Sequence, residues 1–410
     1  MGNPVGKRAS ELRPTWLEID LDALARNYSR VRGLVGARRV WCVVKADAYG
    51  HGAVPVSRRL AAEGADAFAV ATVDEGIELR EAGIAGDILV MAGLEPLPEG
   101  GAGALPEIVL EAVGKDLDVA VWSRAAAEML GAAALGAGDA PCRVHLKVDT
   151  GMGRLGVLVA EAPAAAVELA SRIAAIDGIE LVGVFSNLAA ADAAPDDPCG
   201  EHDLVQVQVE RFVGFCRALD ERGVLPAHRH LSNSAAILQH DAAWDADWCT
   251  GVRPGISLLG VRSFRGAVTF ELESVMSWHS TVAAVRDLPK GWPIGYGGLR
   301  RAERDCTIAV VPVGYHDGFP RALSDHAEVL VGGRLAQVVG AISMDLTLVD
   351  ITGIPGISVG ASVVLLGSSD EPGAESIGAE EMAQQAGSIA HEVLCRIGSR
   401  VPRRFVGRES

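Results

Sequence analysis

Apolar positions along this chain follow two regimes that change over near residue 265. Upstream, short apolar runs recur at 40–44, 67–71, 88–91, 117–121, 144–148, 181–185, 228–231 and about 252–259, most of them separated by Ala-rich or amphipathic stretches of helical period. A run without polar alternation reads as a strand buried on both faces, as in a parallel sheet. Eight such strands alternating with helices predict an α/β fold, an N-terminal (β/α)8 barrel of the TIM type. A doubly wound open sheet would show the same alternation. Ahead of these runs, Trp16-Leu17-Glu18-Ile19-Asp20 alternates like a half-buried strand. Asp20 then suits a helix N-cap, Leu21, Leu24, Ala25, Tyr28 and Val31 form one helical face, and Gly36 ends it.

Downstream, helical periodicity largely disappears. Short β-branched or alternating runs at 307–313, 327–331, 346–351 and 362–366, separated by glycines, predict a C-terminal, mostly antiparallel β domain. The boundary falls within 263–270, giving a barrel over 15–265 and a β domain over 266–405, which the strand near 14–20 is free to join. Proline, glycine and acidic residues mark 93–116 and 189–203 as long loops on the barrel rim.

The 410 residues suit a barrel of about 250 residues plus a smaller partner. A net charge of −16 argues against a nucleic-acid or anionic-membrane partner. No apolar segment reaches membrane-spanning length, and no charged n-region precedes an apolar stretch at the start. Seven cysteines are scattered from Cys42 to Cys395 without a Cys-x-x-Cys pair, which suggests neither a disulfide framework nor a zinc site. A reducing cytoplasm fits this usage best.

The chemistry centres on Lys45, at the end of the first buried run. A lysine there is either a solvated loop charge or a Schiff-base amine made nucleophilic by desolvation and neighbours. The segment Val44-Lys45-Ala46-Asp47-Ala48-Tyr49-Gly50-His51-Gly52 resembles the pyridoxal-phosphate lysine motif of the alanine racemase family. A second block, Lys147-Val148-Asp149-Thr150-Gly151-Met152-Gly153-Arg154-Leu155-Gly156, spells a dinucleotide fingerprint, but no helix starts at its glycines. It too resembles a racemase segment. The resemblance makes Arg154 the clamp on the substrate carboxylate, a task suited to its planar fork, and makes Lys147 a carbamylated lysine that positions it.

The resemblance continues through Ser232-Asn233-Ser234 and Arg253-Pro254-Gly255-Ile256, and implies that Tyr49, Ser234, Gly255 and Ile256 hold the cofactor phosphate. It also places Arg253 against the pyridine nitrogen. A guanidinium only donates, so that nitrogen stays unprotonated and the Cα carbanion is reprotonated rather than eliminated or transaminated. In the second domain the resemblance implies that Tyr296 is a second catalytic base supplied across a homodimer interface, with Tyr315, Met344 and Asp345 near the substrate. It runs from about residue 15 to 405, closing on Arg400-Val401-Pro402-Arg403.

Two positions depart from it. Asn187 stands where the family usually has a histidine beside the cofactor ring, and His391 where it has a tyrosine near the phosphate and substrate. The resemblance therefore implies a cytoplasmic, pyridoxal 5'-phosphate-dependent homodimer with shared active sites that interconverts L- and D-alanine, a peptidoglycan precursor, using Lys45 and Tyr296. The alternatives are a racemase of serine or another small amino acid, a decarboxylase, which a clamped carboxylate disfavours, and a non-catalytic cofactor-binding protein. A nicotinamide dehydrogenase, suggested only by the glycine pattern, comes last.

Overall fold

The computed structural model describes residues 13–94, 106–138, 140–159, 163–193, 201–245, 247–264, 270–368 and 375–408. Much of both long rim loops, and the expected domain junction at 265–266, lie outside these residues.

The first element among the described residues is β1 (Thr15–Asp20), whose residues alternate between buried and half-buried. Asp20 then caps the helix Leu21–Val35, its carboxylate accepting from the Asp22 and Ala23 amides at 2.8 and 2.9 Å. Eight parallel strands follow: β2 (Arg39–Val43), β3 (Ala67–Val70), β4 (Asp87–Val90), β5 (Asp118–Val121), β6 (Cys142–Asp149), β7 (Ile179–Phe185), β8 (His228–Asn233) and β9 (Gly251–Arg253). Each pairs with the next, and β9 returns to β2 with Gly251 opposite Arg39. That closure excludes the open sheet. It also explains the unalternating runs, since one strand face meets the outer helices and the other fills the barrel interior.

The eighth run ends earlier than its apolar pattern suggests. Strand β9 stops at Arg253 because Pro254 has no N–H for the ladder, and residues 255–260 form successive turns, with the Leu258 amide on the Gly255 carbonyl at 2.9 Å.

The C-terminal part is mostly antiparallel. Strands β10 (Met276–Thr281), β11 (Ala284–Leu288), β12 (Cys306–Val311), β13 (Glu328–Val331), β14 (Arg334–Gln337), β15 (Thr347–Asp350), β16 (Ser362–Ser368) and β17 (Arg403–Val406) form a sheet ordered β14-β13-β16-β10-β1-β17 and a smaller one ordered β11-β12-β15. Strand β1 lies between β10, antiparallel, and β17, parallel. The first of the described strands therefore belongs to the same sheet as the last of them.

Two helices, Ala379–Gln385 and Ala390–Cys395, interrupt this β-rich part. At seven and six residues they are too short to display a helical period in sequence. The second packs onto the turn after Lys45: a Cβ at Gly50 would stand 2.7 Å from the Leu394 carbonyl oxygen. Through this contact the C-terminal part reaches the barrel mouth.

Candidate active site

Strand β2 delivers Lys45 to the mouth, its end fixed by the Val43 amide on the Pro254 carbonyl at 2.8 Å and the Val44 amide on the Ala69 carbonyl at 2.9 Å. The chain then makes a left-handed turn, with Ala46, Asp47, Ala48 and Tyr49 all at φ between 50° and 54°. Such residues cost roughly 1–2 kcal/mol each, so the turn persists only because its surroundings dictate it. Glu75 accepts from the Ala46 amide at 2.7 Å, and Asp47 accepts from the Ala53 amide at 2.7 Å. The result is that Lys45 and Tyr49 line one cavity of about 410 Å³.

Glu75 was not singled out from the sequence, although its signal was present. Thr72-x-x-Glu75 is a capping box, and the Glu75 carboxylate that accepts from the Thr72 amide also reaches the Lys45 turn.

Arg154 reaches the same cavity from a loop, and Asp149 at the end of β6 organises that loop by accepting from the Gly151, Met152 and Arg154 amides at 2.8, 2.7 and 3.1 Å. These hydrogen bonds outweigh its partial burial and hold the Asp149 carboxyl below its usual range. The glycines serve this fold-back: a Cβ at Gly156 would stand 2.8 Å from the Val148 carbonyl carbon. The next helix starts only at Ala164, so the loop is not a dinucleotide turn.

Cationic groups crowd the cavity. Burial, then the Arg154 charge, lowers the Lys45 pKa. Burial, then Arg154, Arg253 and Lys45, lowers that of Lys147 to about 8. The Lys147 amine donates to the Met91 carbonyl at 3.2 Å and lies over the Trp122 and Phe185 rings.

Arg253 is buried beneath the cavity. Its guanidinium donates to His230 Nδ1 at 2.8 Å, to the carbonyls of Ser186, His230 and Leu231 at 2.6, 2.8 and 3.0 Å, and to Asn187 Oδ1 at 3.1 Å. Burial pulls its pKa down, but these acceptors face a group that does not lose its proton in proteins. Asn187 thus holds Arg253 as well as lining the cavity.

Ser234 follows β8 and its hydroxyl oxygen accepts from the Gly255 and Ser257 amides at 2.8 and 3.3 Å. Among the described residues, none accepts from the Ile256 amide, and the buried Ser257 hydroxyl has no partner. Space at Gly255 is taken by the Tyr49 hydroxyl, into which any Cβ would run. Hydroxyls and backbone N–H groups converging on one corner form the donor set that a phosphate requires, and the site fits a phosphorylated cofactor. Gly255→Ala is expected to displace Tyr49 and weaken cofactor binding at least about tenfold, a loss of about 1.4 kcal/mol; equilibrium dialysis of the cofactor checks it.

His391 completes the rim from helix Ala390–Cys395, its ring centroid 5.8 Å from that of Tyr49. Burial, then the Lys45 charge, lowers its pKa.

The other four expected site residues are not in this cavity. Tyr296, Tyr315 and Met344 are 77%, 42% and 50% exposed on the C-terminal part. The loops bearing Tyr315, Met344 and Asp345 are joined by the Tyr315 amide on the Ser343 carbonyl and the His316 amide on the Met344 carbonyl, at 3.0 and 3.1 Å. Arg400 donates to Asp345 at 2.8 Å and to the buried Asp317.

Comparison with known proteins bears on this arrangement. The model described as "Alanine racemase, N-terminal domain" matches residues 19–263, and the one described as "Alanine racemase, C-terminal domain" matches 275–405. An alanine racemase of Citrifermentans bemidjiense is 40% identical over 400 residues, covering 96% of this chain and 98% of its own. "Alanine racemase 2" of Caldanaerobacter subterraneus is 36% identical over 400 residues, covering 97% and 96%. Among solved structures, the alanine racemase from Streptomyces coelicolor superposes with a TM-score of 0.85 at 35% identity, covering 98% of this chain and all of that one. The Bacillus anthracis enzyme with bound L-Ala-P gives 0.82 at 31% identity, covering 97% and 96%.

Proposed function

Because the chain belongs to the alanine racemase family and is an isomerase that interconverts L- and D-alanine, we propose that Lys45 and Tyr296 exchange the Cα proton on opposite faces of a substrate joined to pyridoxal 5'-phosphate. The family depends on this cofactor. The observation that carries the reading is the convergence of Lys45, Arg154, Arg253, Tyr49 and Ser234 on one cavity whose lysines are pushed toward the neutral form.

Tyr49, Ser234, Gly255 and Ile256 would hold the phosphate and Lys45 the aldehyde carbon. When bound, the cofactor's conjugated ring accepts the electron pair left at Cα. Lys45 serves as proton carrier because burial and Arg154 disfavour its charge. Arg154 has no carboxylate among the described residues as an ion-pair partner, which leaves its fork for the substrate carboxylate. Arg253, already bonded below, presents donors only toward the ring nitrogen. Incubation with L-alanine in deuterated water followed by chiral chromatography tests the assignment: both enantiomers appear, with deuterium at Cα and no carbon dioxide released.

Lys147 suits carbamylation, since the neutral amine attacks carbon dioxide. The neutral fraction grows as pH rises through about 8, and conversion to an anion relieves the repulsion from Arg154 and Arg253. In ¹³C-bicarbonate at pH 8, Lys147 is expected to give a carbamate resonance that fades as pH falls below 7 and is absent in Lys147→Ala.

Tyr296, Leu299, Tyr315, Met344 and Leu346 are all exposed on the C-terminal part, which supports a homodimer in which each subunit completes the other's site. Asn187 and His391 replace larger side chains of the family beside the cofactor, which favours acceptance of serine or another small amino acid beside alanine. Discrimination by one methylene is worth only about 1–3 kcal/mol. Asn187→His with His391→Tyr is expected to lower the serine-to-alanine ratio of kcat/KM about tenfold; an unchanged ratio removes the idea. The scattered cysteines of the sequence suit a reducing cytoplasm, where the product would feed peptidoglycan.

A further inference from the structure

Below the cavity, a line of buried polar groups runs the length of the barrel interior. Arg253 Nη1 lies 2.8 Å from His230 Nδ1, His230 Nε2 lies 3.0 Å from His145 Nδ1, and His145 Nε2 lies 3.3 Å from Asp118 Oδ2. Arg143 engages the other Asp118 oxygen from the barrel floor, its Nε at 2.7 Å and Nη2 at 2.6 Å.

Only one arrangement of protons satisfies this line. A guanidinium has no acceptor, so Arg253 donates and His230 Nδ1 is bare. Neutral His230 then carries its proton on Nε2 and donates it to His145, whose Nδ1 must also be bare. His145 carries its proton on Nε2 and donates to the Asp118 carboxylate. Every donor points away from the cavity, and both imidazoles are neutral.

Packing enforces the same state. The His230 ring is stacked between Trp41 and Phe185, with centroids at 5.5 and 5.1 Å, and His145 meets the Trp41 ring edge-on at 5.1 Å. All three side chains His145, His230 and Asp118 are buried. Burial, then the Arg253 charge, holds the His230 pKa well below its ordinary value. The neighbouring His228 ring stacks on His145 and is bonded to Arg39, which also pairs with Asp87 at 2.6 Å, so the other titratable groups at this level also meet a fixed cation. Room for the relay is specific to the sequence: a Cβ at Gly183 of β7 would run into His145 Nδ1.

We propose that Asp118, His145 and His230 are positioning residues that lock Arg253 as a donor-only floor, so that no proton can pass from the barrel interior to the cofactor's ring nitrogen. The inference rests on the proposed placement of that nitrogen at Arg253. It predicts reaction fidelity rather than rate as the property the relay controls. With the floor locked, the Cα carbanion returns to amino acid; with it loosened, more substrate is oxidised to its keto acid while the cofactor aldehyde is reduced to the amine.

The first measurement needs no turnover. In the cofactor-loaded protein labelled with ¹⁵N-histidine, with His145 and His230 assigned by His145→Gln and His230→Gln, both residues are expected to show bare Nδ1 and protonated Nε2 at pH 7. A proton on either Nδ1 overturns the relay, whatever reaction the enzyme performs, whereas failure to racemise alanine would remove the functional reading and leave these tautomers as found. The second measurement is keto-acid formation per racemisation event. His145→Leu, which takes away the acceptor, is expected to raise it at least about tenfold, equivalent to about 1.4 kcal/mol, while His145→Gln, able to accept at one end and donate at the other, stays within about threefold of wild type. Equal ratios in all three proteins overturn the proposal.

Discussion

Replacing Lys45 with alanine is expected to lower the racemisation rate by at least about 10⁴-fold, the upper range of a single acid–base contribution, with loss of the covalent link to the cofactor in addition. The argument is one of position and charge. Lys45 ends β2 at a turn held by Glu75 and Asp47, in a cavity where burial, then the Arg154 charge, disfavours its protonated form. The cradle formed by Ser234, Gly255 and Tyr49 is untouched by the substitution, so the variant should still take up cofactor, but release it on dialysis. Borohydride reduction of the wild type, followed by peptide mapping, should leave the cofactor on Lys45. Recovery on Lys147, the other amine lining the cavity, would reassign the covalent role.

Replacing Tyr296 with phenylalanine is expected to cost about 10²–10⁴-fold in kcat/KM, with a signature distinct from that of Lys45. The two enantiomers have equal free energy, so the forward and reverse values must fall together. Proton exchange without inversion, however, should survive on the face served by Lys45. In deuterated water one enantiomer of alanine should therefore acquire deuterium with retention while racemisation nearly stops. Because Tyr296 is 77% exposed on a single chain and absent from the cavity, wild-type activity should also fall on dilution as subunits separate. Full activity in Tyr296→Phe would place the second base elsewhere.

The Lys45 motif and the block from Lys147 to Gly156 announced their chemistry through residue order, because a strand end followed by a turn is a local event. Glu75 was equally legible as the glutamate that closes a Thr-x-x-Glu capping box, but nothing local says that its second oxygen reaches another loop. The helix bearing His391 leaves no local signal for a different reason, since six residues are too few to show a helical period.

What the sequence determined by itself was the set of barrel strands and the motif residues that line the cavity, because burial on both faces and motif spacing are written in consecutive positions. Only the tertiary structure decided that the sheet closes, that β1 lies between β10 and β17 from the far end of the chain, and that Arg253, His230, His145 and Asp118 form one directed line of hydrogen bonds. Those contacts join residues up to hundreds of positions apart, and no local pattern specifies which strand lies beside which.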